Sequence, residues 1–279
     1  MPFKTIAVHL DGSTRCAVRV DIAIELARRF DGRLVGIAPT GLPDVTIPLD
    51  TDIADVLSMA ALSAHALREQ AEAAAHAFEL RCRAAGLARA ESQLAIEPAI
   101  DAMVVHGRCS DLAVVGQTDG SALVDGVPFD LPQQVLLHAG VPVLVVPYAG
   151  EVAPPGRRVL VAWKNTQEAA RAVRAALPLL DGALDVTLAE FGEERSHGSD
   201  EPTYDAAAAW LVSHGLAVRR RRDPSRDAVG DRLLTLAAEL EADLIVAGGY
   251  GHSRLREWTL GGVTRDLLQR MTVPTLLSH

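Results

Sequence analysis

Apolar residues along this chain fall into short runs separated by longer stretches of helical period. Residues 5–10 form a continuous apolar run closed by Asp11-Gly12-Ser13, which predicts a buried strand and a turn. Over residues 14–30 the apolar positions Val18, Ile22, Ile24 and Leu26 recur at helical spacing, and Asp31-Gly32 ends the segment. Residues 33–38 predict a second strand. After a loop carrying Pro39, Pro43 and Pro48, a long helix is predicted over about 53–85. Its inward stripe reads Val56, Met59, Ala60, Leu67, Ala71, Ala74 and Phe78. Residues 93–96 predict a third strand, 99–106 a helix, 111–115 a strand ending in Gly116, 132–138 a helix and 141–146 a strand.

Residues 147–157, with Pro154-Pro155-Gly156, have linker composition, and beyond them the pattern restarts. Strands are predicted at 159–163, 185–191, 217–221, 244–247 and 275–277. Helices are predicted at 167–180, 204–214, 227–240 and 263–271, and the polar stretch 193–201 predicts a mobile loop. The restart is a duplication. Ile6 to Asp11 aligns with Val159 to Lys164 at an offset of 153, whereas Asp111 to Gly116 aligns with Asp243 to Gly248 at 132, as do Val141-Pro142 and Val273-Pro274. The difference of 21 residues falls mostly in the long helix of the first half.

Near-continuous apolar strands alternating with helices predict a parallel sheet covered on both faces. Ligands of such sheets sit at the carboxyl ends of the strands, where strand order reverses. Asp11 and Lys164 follow the first strand of each half and the glycines follow the fourth, so these positions converge on one edge. Two domains are expected, 1–148 and 157–279.

Composition narrows the partners. A net charge of −9 argues against general nucleic-acid binding, which needs a basic face. No apolar run is long enough to span a bilayer, and Met1 leads straight into a predicted strand, so no signal peptide is expected. Cys16, Cys82 and Cys109 have no metal or redox spacing. A reduced, cytoplasmic protein without membrane partners is expected.

The candidate chemistry is concentrated in Asp243-Leu-Ile-Val-Ala-Gly248-Gly249-Tyr250-Gly251-His252-Ser253-Arg254, followed after six residues by Gly261-Gly262-Val263-Thr264. This reads as strand, glycine loop and helix start. Glycines let backbone N–H groups approach an anion, and a helix start adds unpaired donors and a positive dipole end. Phosphate binding is one reading; a turn that only packs helix on strand is the other.

The spacing Gly248, two residues, Gly251, nine residues, Gly261 resembles the nucleotide loop of the universal stress protein family, G-x2-G-x9-G-[S/T]. The last position departs, with Gly262 in place of the hydroxyl residue. The resemblance extends over nearly the whole chain and identifies it as similar to a tandem member. It implies two Rossmann-like α/β domains of the adenine nucleotide alpha hydrolase type. Each would be a five-stranded parallel sheet of order 3-2-1-4-5 with helices on both faces. It further implies ATP or another adenine nucleotide, with or without Mg, held by Gly248, Gly251, His252, Ser253, Gly261, Gly262 and Val263. The backbone near Glu190 would read adenine. An Asp after the first strand contacts adenosine in the family. The first half keeps Asp11 but carries Gly116, Asp119, Phe129 and Asp130 at the motif positions; the second keeps the glycines but has Lys164 for the Asp. Lys164 either reaches a phosphate or is a solvated lysine.

At most one nucleotide per chain is therefore expected, in the second half. Single-domain relatives commonly dimerise, so the halves are expected to pair within the chain through residues 143–146 and 275–277; a further homodimer stays open. Arg219 to Arg222 are either a phosphate patch or charges guarding a sheet edge. His65 and His76 lack ligand spacing, Asp111 and Asp243 read as structural, and no nucleophile–base pair accompanies Ser13. No catalytic or metal residues are assigned, and hydrolysis, if any, would be slow. The functional expectation is a stress-response regulator; the alternative is a nucleotide-free interaction module.

Overall fold

The structure, a computed structural model, describes residues 2–42, 53–118, 130–191, 201–224, 229–250 and 262–279. The chain divides into two compact units, Pro2–Val141 and Pro142–His279.

The first unit runs β1 (Thr5–His9), α1 (Cys16–Phe30), β2 (Arg33–Pro39), α2 (Ile53–Ala84), β3 (Ala90–Ala95), α3 (Ala99–Gly107), β4 (Leu112–Gly116) and α4 (Leu131–His138). Its strands are parallel in the order β3-β2-β1-β4. The run of apolar residues in β1 and β4 follows from burial on both faces of the sheet. Helix α1 ends at Asp31, which adopts the left-handed conformation (φ 47°) while its N–H and that of Gly32 bond the last turn. Gly36 on β2 has no room for a side chain: a Cβ would stand 2.8 Å from Leu10 and 3.1 Å from the Phe78 ring, so its absence seats α2 on the sheet.

Two expectations for this unit need correction. The inward face of α2 is Ala71, Ala75, Phe78 and Cys82, and Met59 is 68% exposed. Met59 lies twelve residues before Ala71, which rotates it by about 120° off that face; the alanine-rich sequence around it gave a stripe on more than one side. Strand β3 begins at Ala90, three residues before the expected start, pairing Ala90 with Leu34. As an edge strand with mixed burial, it lacks the apolar run that marks central strands.

The second unit runs β5 (Val143–Val146), β6 (Arg158–Trp163), α5 (Gln167–Leu180), β7 (Asp185–Phe191), α6 (Glu201–Ser213), β8 (Val218–Asp223), α7 (Val229–Glu239), β9 (Leu244–Gly248), α8 (Gly262–Arg270) and β10 (Thr275–Ser278). Its strand order is β5-β10-β9-β6-β7-β8, parallel except for β5, which pairs antiparallel with β10. The register places Leu144 opposite Leu276, two residues that the 132-residue repeat makes equivalent.

Asp111 and Asp243 have the structural role expected of them. Asp111 accepts the Lys4 and Thr5 N–H groups at 2.7 and 2.8 Å, and Asp243 accepts those of Gly156, Arg157 and Arg158. Each thereby ties the start of its half's first strand at the edge opposite the candidate sites. Strand β8 is an edge strand, and three of its four arginines are paired: Arg219 with Asp185, Arg220 with Asp205 and Arg222 with Glu190. Charge that blocks further strand pairing accounts for them. The polar stretch 192–200 lies outside the described residues.

Candidate functional site

Strand order reverses between β1 and β4 in the first unit and between β6 and β9 in the second. The two reversal points are built differently.

In the first unit, β1 delivers His9 and then Asp11 to the carboxyl edge. Asp11 accepts the Ser13 hydroxyl at 2.6 Å and the Ser13 N–H at 3.1 Å, a turn closed by its own side chain. From the first turn of α1, Arg19 reaches back over the strand ends. It is 1% exposed, its Nε donates to the His9 carbonyl at 2.7 Å, and its Nη2 lies 2.8 Å from Asp11 Oδ2. That last contact is a charge contact and not an aligned hydrogen bond. Asp11 Oδ2 also lies 3.4 Å from His9 Nδ1. Burial alone would raise the Asp11 carboxyl, but Arg19, His9 and Ser13 together hold it well below the usual carboxylate range. Burial opposes the charge of Arg19, yet Asp11 and Cys16 keep the guanidinium above its ordinary value. Burial drives the His9 ring down to about 4 against the pull of Asp11, and the Cys16 thiol up.

Gly116, at the end of β4, faces this guanidinium: a Cβ there would stand 2.4 Å from Arg19 Nη1. Gln70 of α2 lies over Gly12. Asp130 caps α4 by position and holds the Gln134 amide at 2.8 Å; Asp119 and Phe129 lie outside the described residues.

In the second unit, α5 starts two residues earlier relative to the repeat. Its N-cap Thr166 accepts the Ala169 N–H at 3.3 Å. The helix backbone closes directly on β9: a Cβ on Gly248 would stand 2.5 Å from the Ala169 nitrogen. Packing alone therefore demands glycine at 248. The chain leaves β9 through Gly249, whose N–H bonds the Ser278 carbonyl and whose carbonyl meets the His279 ring at 3.1 Å. Tyr250 follows in the left-handed region (φ 58°), strained for a residue with a large side chain. Its N–H points at the Thr264 hydroxyl, 3.4 Å away in the first turn of α8. Gly248 to Tyr250 thus lies between the start of α5, which carries donors without intrahelical partners and a positive dipole end, and Thr264 of α8, whose hydroxyl meets the Tyr250 N–H.

Lys164 is exposed, one residue beyond β6. Glu190 lies next to Trp163 in register and is ion-paired to Arg222 at 3.4 Å. The Trp163 indole nitrogen is buried, and among the described residues nothing accepts its proton. Gly262 and Val263 are the first described residues of α8, both exposed, and among the described residues no atom would stand within 4 Å of a Cβ on Gly262. Gly251, His252, Ser253 and Gly261 lie outside the described residues. Among the described residues no group of three His, Cys, Asp or Glu side chains could hold a metal ion, and no helix is long and apolar enough to cross a membrane. His65 is exposed beside Glu69, and His76 is exposed.

Sequence reasoning missed Arg19, Thr166, Thr264 and Trp163. Arg19 left a readable signal, a charge on the Arg19–Ala23–Ala27 line that α1 buries. Thr264 shows how a hydroxyl reaches the loop although the motif position is Gly262. The two glycines differ in consequence. Gly248→Val should destabilise the second unit by about 1–3 kcal/mol or more, the usual cost of overpacking against atoms that cannot yield. Gly262→Ala should stay within about 0.5 kcal/mol. Urea unfolding followed by tryptophan fluorescence separates the two; equal losses would contradict this packing.

A parallel α/β sheet with a glycine-ended fourth strand and a helix start at its carboxyl edge defines a Rossmann-like domain. Residues 156–279 match the sequence model of the universal stress protein family, and this domain belongs to that family. The whole chain has the tandem fold of two solved structures. One is a universal stress protein from Archaeoglobus fulgidus DSM 4304, with 17% identity and a TM-score of 0.73, covering 98% of this chain and 95% of the other. The second was described as a putative universal stress protein from Pseudomonas aeruginosa UCBPP-PA14, with 15% identity and a TM-score of 0.61, covering 99% and 93%. Comparison with curated proteins gives no match.

Proposed function

We propose that the domain at 157–279 binds an adenine nucleotide, ATP or a close relative, and that the chain is a cytoplasmic stress-response regulator and not an efficient enzyme. The observation that carries this reading is the start of α5, Thr166 to Ala169, set against Gly248, with Thr264 of α8 at the Tyr250 N–H on the other side. Such a place favours negative charge. Lys164 adds a cation on the same edge and would hold phosphate. The donor set fits a polyanion, and the buried Trp163 indole N–H offers a proton to a base or ribose acceptor beside it. Backbone near Glu190 would meet the adenine edge. Gly251, His252, Ser253 and Gly261 join the cradle on spacing alone. The nucleotide would bring its own Mg, since the domain supplies no acidic cluster among the described residues.

Calorimetry with ATP tests the reading. One ATP per chain is expected. Lys164→Glu should weaken binding by at least about tenfold, or 1.4 kcal/mol. Trp163→Phe should weaken it while leaving unliganded stability unchanged or higher, because it removes an unmatched donor. Unchanged affinity in Lys164→Glu would sink the proposal. One observation favours the second reading, a nucleotide-free interaction module: α5 already uses the space left by Gly248, so that glycine is not evidence for a ligand. Mass spectrometry of small molecules released from freshly purified protein would decide between them.

A further inference from the structure

In the first unit, the place where a sheet of this order takes a ligand, between the carboxyl ends of β1 and β4, is already filled. Arg19 Nε bonds the His9 carbonyl, Nη2 faces Asp11, and Nη1 lies against Gly116. Asp11 is surrounded on its other sides by Ser13 and His9. We propose that Arg19 is a built-in ligand: its guanidinium occupies the first crevice permanently, and Asp11 is its counter-ion instead of a contact for a diffusible molecule.

The second half shows that these residues change as a set. The 153-residue offset places Ala162 at His9, Lys164 at Asp11 and Ala172 at Arg19. There, Ala172 is buried among core residues and α5 itself closes on the sheet. Where the counter-ion is kept, the chain supplies the cation; where the cation is gone, the carboxylate is gone too. The guanidinium also accounts for Gly116, since a methyl group there would collide with it. The first half then serves as a scaffold closed to nucleotides.

Removing the Arg19 side chain should leave a space shaped for a guanidinium, facing a buried carboxylate. Arg19→Ala in the full chain is therefore expected to lower the urea midpoint. Low-millimolar methylguanidinium, far below denaturing concentration, should restore at least half of the loss in a saturable way. Tetramethylammonium should not, and wild type should respond to neither. Absence of saturable rescue, or an equal response in wild type, would overturn the proposal. Should Arg19→Ala fail to fold, wild type still decides. The Arg19 Nε–H, followed by nitrogen-15 NMR, should exchange with water more slowly than that of the exposed Arg174 and be unmoved by ATP. Exchange as fast as Arg174, or a change on adding ATP, would overturn it. The rescue assay contains no nucleotide, so its failure is distinct from failure of nucleotide binding in the second domain.

Discussion

Asp11→Ala should unfold the first unit far more readily than any surface substitution, at a cost of about 3–5 kcal/mol. This is the usual penalty for stripping the partner from a buried charge. The reason is geometric. Arg19 is buried on every side, its guanidinium remains protonated at any ordinary pH, and α1 anchors it over β1 and β4. Without Asp11 that charge has no counter-ion in a low-dielectric setting. The double variant Asp11→Asn with Arg19→Met should recover most of the loss, because an apolar filling of similar volume often serves as well as a buried ion pair. The optical assay must suit the unit. All three tryptophans and all three tyrosines lie beyond residue 141, so fluorescence reads the second unit alone while far-UV circular dichroism reads both. A loss below about 1 kcal/mol in Asp11→Ala would mean that Arg19 finds water in this crevice.

Stability of the first unit should also fall steeply between pH 6.5 and 4, a window set by His9. Unfolded, its imidazole takes a proton near 6.5; folded, burial holds it at about 4. Above that window neither state is protonated there and the folded state keeps its full stability. As pH drops, the unfolded state binds the proton first. Each unit of displacement is worth about 1.4 kcal/mol, so about 3 kcal/mol is lost by the bottom of the window. Asp11 acts lower. Its folded carboxyl is depressed, so its contribution is complete above the ordinary carboxylate range and lost only beneath it. His9→Gln should flatten the upper slope and leave the lower one. Denaturant midpoints from pH 7.5 to 4 measure this, and an unchanged slope in His9→Gln would assign the titration elsewhere.

The fold was legible because its central strands are continuous apolar runs and its duplication repeats them in order. The edges were less so: β3 and β8 carry polar and charged residues, and hydrophobicity alone marks them poorly. The glycines of the candidate site were visible, but not what each one does. Gly248 and Gly116 look alike in sequence, yet one admits a helix backbone and the other a guanidinium. Arg19 was hidden because helical periodicity sorts residues into apolar and polar, and a buried arginine counts as an error in that scheme unless its counter-ion, eight residues earlier, is considered with it. Asp11 bonds Ser13 and pairs with Arg19, and α1 has no side-chain cap.

Strand β5 gives the duplication a further meaning. It lies antiparallel on β10 with the repeat-equivalent leucines 144 and 276 opposite one another, so this strand pair has an approximate two-fold axis of its own. A segment cut at residue 157, as the repeat would suggest, leaves β10 with an open row of backbone donors and acceptors beside apolar Leu276 and Leu277. A second copy could supply the missing strand in the same register, leucine 276 on leucine 276, which is the self-complementary contact of a two-fold dimer. Within this unit β5 supplies that strand from the same chain. The strength of the contact then no longer depends on protein concentration, and each of the two facing strands is free to diverge without having to match itself.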